Sequence, residues 1–140
     1  MNVSIELKDL EAHKYTKPQG RVHIKNNSTL LNVRGGGDSL SADFVYTSTY
    51  DPNIGLIRLE GELNVVDKPE NISTALEEWS RTKEKNLPKG FAEKIHNQII
   101  STCILQASIL ARDLKLPAPM PAPKVSIGKE EKPDTDSYIR

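Results

Sequence analysis

Residues 89–116 read KGFAEKIHNQIISTCILQASILARDLKL, and this stretch constrains the fold more than any other. Phe91, Ile95, Ile99, Cys103, Ala107, Leu110 and Leu114 recur every three or four residues, which is the α-helical period. Pro88 and Gly90 stand at its start, Lys115 in its last turn, and Pro117 stops it. The first half has one apolar face. In the second half Ile100, Ile104, Leu105 and Ile109 spread over most of the circumference. A helix apolar nearly all round is buried nearly all round. One small sheet cannot cover it, so a second subunit is expected on its far side, with Ile100, Ile104, Ala107 and Ala111 at the contact.

What precedes the helix alternates. Val3, Ile5 and Leu7 interleave with Ser4, Glu6 and Lys8 as in a half-buried strand that runs towards Leu10. EAHKYTKPQG then reads as a connection, with Pro18 and Gly20 as turn residues. Val22 and Ile24 resume the alternation, and Thr29 to Val33 continues it past Asn26 and Asn27. Gly35, Gly36, Gly37 and Asp38 read as a flexible hairpin turn. They lack the lysine and serine or threonine of a phosphate loop, and no helix follows. Leu40, Ala42, Phe44, Tyr46, Ser48 and Tyr50 form one side of a long strand. Ile57, Leu59, Gly61, Leu63 and Val65 form one side of the next, after a turn at Asp51, Pro52, Asn53 and Gly55. Two such strands around a short turn predict an antiparallel hairpin. Its polar second side predicts one wet face. Gly61 leaves a gap where a helix or ligand can approach.

A second, shorter helix is expected over 70–85, from the spacing of Ile72, Ala75, Leu76 and Trp79, with Asp67 or Asn71 as its cap. Past 116 the prolines fall at every second position, Pro117, Pro119, Pro121 and Pro123. This pattern enforces an extended strap over 117–123 without hydrogen bonds of its own. Residues 124–140 are charged and lack a core pattern, which reads as a disordered tail. Strands followed by helices predict an α+β class: an antiparallel sheet of about four strands over residues 2–66, then helices at 70–85 and 89–116. Residues 1–123 make one domain.

Chemistry is harder to find. Lys plus Arg and Asp plus Glu are 19 each, so bulk charge gives no general attraction to nucleic acid or to an anionic membrane. No run approaches the length of a membrane span and no signal peptide opens the chain, so a cytoplasmic protein without membrane insertion is expected. His13, His23 and His96 form no metal-ligand spacing, and His96 reads as a structural or exposed histidine. Neither a cofactor nor a metal is expected. The lone Cys103 lies within the apolar helix and reads as a small core residue. It has no evident base partner, and no nucleophile motif occurs, so no enzymatic activity is expected. Glu60 and Glu62 share a strand face with Arg58, which reads as a solvated charge ladder more readily than as an acid–base pair.

Two surfaces remain as candidates. In HKYTKPQGRVHIK, residues 13–25, Lys14, Lys17, Arg21 and Lys25 surround Tyr15 without an acid among them. Such a stretch contacts phosphates and stacks on a base, or is a lysine-guarded edge. Phe44, Tyr46 and Tyr50, with Ile57 and Leu59 on the neighbouring strand, present an aromatic face on which an extended apolar peptide can lie, or else they are core.

The order of elements resembles the SecB-type protein-export chaperones. The stretch IHNQIISTCILQASILARDLKLPAPMPAPKV, residues 95–125, is similar to that family's long subunit-pairing helix and proline-rich end. The hairpin over 40–66 is similar to its long sheet strands. The resemblance implies a homo-oligomer, a dimer or a tetramer, that binds unfolded polypeptide. The composition looks archaeal. Two functional expectations follow. One is a non-enzymatic chaperone or adaptor binding extended apolar segments through Phe44, Tyr46, Tyr50, Ile57 and Leu59. The other is a ribosome- or RNA-associated factor, such as a translation or hibernation factor contacting rRNA, using Lys14, Tyr15, Lys17, Arg21 and Lys25.

Overall fold

The alternating stretches form four strands in a computed structural model that describes residues 1–120. They are β1 (Asn2–Lys14), β2 (His23–Gly36), β3 (Ser39–Asp51) and β4 (Gly55–Val66). They make one antiparallel sheet in the order β1-β4-β3-β2. Two helices follow, α1 (Pro69–Arg81) and α2 (Lys89–Asp113). The α+β class, the four antiparallel strands and the two helices at their end agree with the sequence reading. No helix among the described residues is long and apolar enough to cross a membrane.

Period-two alternation decides which side of the sheet is covered. Leu40, Ala42, Phe44, Tyr46, Ser48 and Tyr50 of β3 all point to one side and are buried. Directly opposite on β4 lie Val65, Leu63, Gly61, Leu59, Ile57 and Gly55, also buried. Both helices pack on this side. Helix α2 touches all four strands, and α1 lies on β2 and β3. Ile95, Ile99, Cys103, Ala107 and Ala111 are the buried stripe of α2; Ile72, Ala75 and Trp79 are that of α1. Among the described residues the other side of the sheet has no helix, and it carries the charges.

The gap at Gly61 is filled from within the sheet rather than by a helix or ligand. A Cβ there would lie 2.8 Å from Phe44 Cζ and closer still to the Glu6 carbonyl. The Phe44 ring thus rests on the glycine of the strand beside it.

Several boundaries differ from the sequence reading, each for a local reason. Strand β1 continues past Leu10 to Lys14 because Ala12 and Lys14 still have partners in Ile57 and Gly55. A bulge between Leu7 and Asp9 resets its register. Strand β2 takes in Gly35 and Gly36, so only Gly37 and Asp38 remain for the turn. Helix α1 ends at Arg81, not near 85, and α2 at Asp113, not 116. Both stops have the same chemistry. Lys83 and Lys115 adopt left-handed φ values of 57° and 56°. The next amides, Glu84 and Leu116, donate back to the Trp79 and Ala111 carbonyls at 2.7 and 2.8 Å, while Lys83 and Lys115 donate to Ser80 and Arg112. This is a Schellman closure at each end, built on lysine where glycine is usual.

The closure of α2 redirects the chain. Leu116 turns inward and is buried, with its Cδ1 beside Gly55. Residues 117–120 then run back over the covered side of the sheet as the first part of the proline strap. The expectations for 121–123 and for the charged tail fall outside the described residues.

Candidate functional site

The strap is held by two hydrogen bonds from the sheet. The Tyr50 hydroxyl on β3 donates to the Pro117 carbonyl at 2.6 Å, and the Asn26 amide Nδ2 on β2 donates to the Pro119 carbonyl at 3.0 Å. Pro119 is buried, while Pro117, Ala118 and Met120 are exposed. Neither proline has an N–H, so this segment presents acceptors alone at these two residues. The sheet meets it with donors.

A buried network aims those donors. Asn26 stands opposite Ser48 in the β2–β3 register, and Tyr46 lies two residues away on the same side. The Asn26 Oδ1 accepts from the Tyr46 hydroxyl at 2.9 Å and from the Ser48 hydroxyl at 2.6 Å. The two hydroxyls lie 2.8 Å apart, and because each has a single proton, donating both to Oδ1 leaves none for a bond between them. With both lone pairs of Oδ1 engaged, the amide is fixed in one sense and its Nδ2 faces outward to the strap. Ser48 is fully buried, and the network satisfies it. Burial pushes the Tyr50 phenol up to about 12, with Tyr46 nearby adding to the rise. Burial likewise raises Tyr46, partly offset by its bond to Ser48. Both phenols therefore keep their protons at neutral pH, and Tyr50 remains a donor.

A second polar contact crosses from β2 to α2. The Ser28 hydroxyl and His96 Nδ1 are hydrogen-bonded beside Trp79, Leu87 and Ala92. Burial lowers the His96 pKa, so the ring is neutral near pH 7. His96 is thus a half-buried helix–sheet tie. Cys103 is fully buried, and burial pushes its thiol up to about 11, which keeps it protonated and inert as a nucleophile.

The residues expected to line an apolar groove form a different arrangement. Phe44, Tyr46, Tyr50, Ile57 and Leu59 are all at most 1% exposed. They are a sealed core floor, because their period-two side is the one the helices cover. Only the rim of this floor meets an extended segment, at the Tyr50 hydroxyl and, through Asn26, behind the Tyr46 hydroxyl. Asn26 and the role of Ser48 were missed by sequence reasoning. A serine in an otherwise apolar and aromatic strand face was the available signal, since a buried hydroxyl requires a partner.

The expected oligomer contact also needs correction. Ala107 and Ala111 face the sheet and are fully buried within one chain, so they have no surface to offer a partner. Ile100 and Ile104 flank that stripe and are half-buried. The outward side of α2 instead exposes Leu105 (60%) and Ile109 (47%), one helical turn apart.

The basic stretch is exposed but divided. Lys14 sits opposite Gly55 and so lies on the covered side, whereas Lys25 sits opposite Thr49 on the open side. Strands β4 and β3 lie between the strands that carry them. Lys17 and Arg21 lie in the connection between these edges, with Tyr15 at its start. Tyr15 stacks on His13, with ring centroids 6.1 Å apart. Its amide donates to the Ile54 carbonyl at 2.8 Å, which pins the connection to the β3–β4 turn. The cations therefore follow the rim of the sheet instead of gathering on one face.

On the open side Glu60 pairs with Arg58, and Glu62 with Lys8 and Arg34. Arg34 also reaches Asp43 at 3.6 Å. This is the charge ladder expected of Glu60, Glu62 and Arg58.

Comparison with protein-family models, with curated proteins and with solved structures found no match for this chain.

Proposed function

We propose that this chain is a non-enzymatic binder of extended polypeptide segments, a holdase or adaptor of the SecB type. One observation carries the reading. The sheet already holds a non-helical segment, residues 116–120 of its own chain with a bend at Pro119 and Met120, by side-chain donors aimed at main-chain carbonyls and by burial of Leu116 and Pro119. Recognition of main-chain carbonyls leaves most side chains of the bound segment free to vary. Burial of apolar side chains would add roughly 25 cal/mol per Å² before ordering costs.

The working form in this reading is a homo-oligomer joined through the outer side of α2, with Leu105 and Ile109 central and Ile104 at their flank. Two adjacent exposed apolar side chains on a long helix are the support for it. The division of Lys14 and Lys25 between two faces leaves the RNA-binding alternative with less support than the polypeptide reading.

The purified protein, mixed at equimolar ratio with a chemically unfolded client, is expected to delay aggregation measured by light scattering. In the same preparation, Leu105→Asp is expected to lower the sedimenting mass to that of one chain. Aggregation at the client's own rate would reject the holdase reading. An unchanged mass in Leu105→Asp would reject this interface.

A further inference from the structure

We infer that residues 116–120 are the resident occupant of a site for a proline-bearing extended segment of another polypeptide, and that the two exchange. The inference rests on the polypeptide-binding reading and names what its site selects and what controls access to it.

Geometry sets the repeat. Tyr50 stands opposite Ile24, and Asn26 is two residues further along β2. Two residues of strand advance about 6.6 Å. The accepting carbonyls, Pro117 and Pro119, are also two residues apart, an interval of about 6.2 Å in an extended segment. An α-helix advances only about 3 Å over two residues, so an occupant must be extended across this pair.

Chemistry sets the preference for proline. An ordinary strand in this seat would bring N–H groups at the residues where the strap has Pro117 and Pro119. Asn26 Oδ1, beside the seat, is already engaged by Tyr46 and Ser48. At 117, which faces solvent, an added N–H would be hydrated, whereas at the buried 119 it would lose water, which is costly without a partner. Proline at 119 removes that N–H. The buried end of the seat thus favours proline, a selection against the wrong partner as much as for the right one.

The resident segment is lightly held. Two hydrogen bonds and the burial of Leu116 and Pro119 fix it, while Pro117, Ala118 and Met120 face solvent. Segments of this kind open at lower cost than the core beneath them. Its covalent attachment gives it a high local concentration, in the millimolar range for short tethers. A free segment of equal chemistry therefore competes poorly until the strap is loosened.

The test uses the full chain and a fluorescent peptide copying residues 113–120, read by anisotropy. Leu116→Asp spoils the strap's own anchor, while the peptide still supplies the leucine, so this variant is expected to bind the peptide at least about tenfold more tightly than the parent. Adding Tyr50→Phe and Asn26→Asp, which removes both donors while keeping an Asn26-like acceptor for Tyr46 and Ser48, is expected to abolish the gain. A peptide with alanine at both proline positions is expected to bind about tenfold more weakly. If circular dichroism shows that Leu116→Asp does not fold, Pro117→Gly with Pro119→Gly loosens the strap without a buried charge and carries the same expectation. Equal binding by the parent and a folded loosened variant, or equal binding of the alanine peptide, would overturn the inference. The two readings also fail separately. A loosened variant that gains the peptide but never delays client aggregation keeps the seat and rejects the holdase. Equal client protection by the parent and the loosened variant rejects the exchange alone.

Discussion

The two sides of the sheet are built from the same four strands and obey opposite rules. On the covered side, β3 and β4 place aromatic and aliphatic residues under helices, and the polar atoms there, Tyr46, Ser48, Asn26 and Ser28, are hydrogen-bonded. On the open side, Arg58, Glu60, Glu62, Asp43 and Arg34 pair while facing water. The difference lies in dielectric and packing. A group sealed from water depends on its neighbours for every contact, whereas a solvated pair replaces lost contacts with water. The covered side should therefore be sensitive to single atoms, and the open side tolerant of whole side chains.

The sharpest way to break that contrast is truncation of Phe44. Its ring is 1% exposed and rests on Gly61, where no side chain can move in to fill the space it leaves. Phe44→Ala is expected to cost about 3–5 kcal/mol in denaturant unfolding, from lost burial and the residual cavity. Thr47→Ala, three residues on and on the open side, is expected to change stability by less than about 1 kcal/mol. Similar costs at both positions would mean that the open side is covered in solution.

The contrast was partly legible in the sequence. The side chains of β3 and β4 alternate so regularly that their two sides could be assigned from residue type alone, and the α2 stripe followed from Ile95, Ile99 and Cys103. What stayed hidden is long-range or chemically disguised. The Schellman closures use Lys83 and Lys115, whose left-handed conformation nothing in a lysine announces. Strand β1 extends through Glu11 to Lys14 because β4 pairs with it, a tertiary cause that local propensity does not carry. Asn26 looks like a turn residue, yet the register sets it against Ser48 and under the strap. Leu105 and Ala107 are two residues apart and similarly apolar, and only the packed helix shows that one faces out and the other in. The candidate site was the least legible part, because its donors come from two strands and its occupant from a segment about 90 residues later in the chain than Asn26.

A second test of the comparison is pH. His96 is half-buried, and burial lowers its pKa, so the folded state favours the neutral ring. Its contribution is present above its ordinary value near 6.5 and is lost as pH falls through the depressed folded value. Tyr50, Tyr46 and Cys103 are shifted upward by burial. Their contributions are present below their ordinary values and are lost as pH rises through the folded ones, for Tyr50 between about 10 and about 12. The melting temperature is expected to fall at both ends of the scale, with the mildly acidic fall below pH 6.5 weakened in His96→Gln. A fall of equal size in His96→Gln over that mildly acidic range would move its cause away from the covered side.

The smallest expected effect tests the open side directly. Arg58 pairs with Glu60 two residues along β4, and both side chains are more than a third exposed. Such a pair gains little, because water screens its attraction and ordering two long side chains opposes it. Arg58 also stands opposite Glu11 of β1 and Thr47 of β3, so its removal leaves carboxylates that remain hydrated. Arg58→Ala is expected to cost less than about 1 kcal/mol in denaturant unfolding at low salt, and less again at 1 M salt, where the screening length falls to about 3 Å. A loss above about 2 kcal/mol that persisted at high salt would require this arginine to be shielded from solvent. No helix among the described residues lies on that side, so the shield would have to come from outside those residues, and the open side of the sheet would then be a contact surface in its own right.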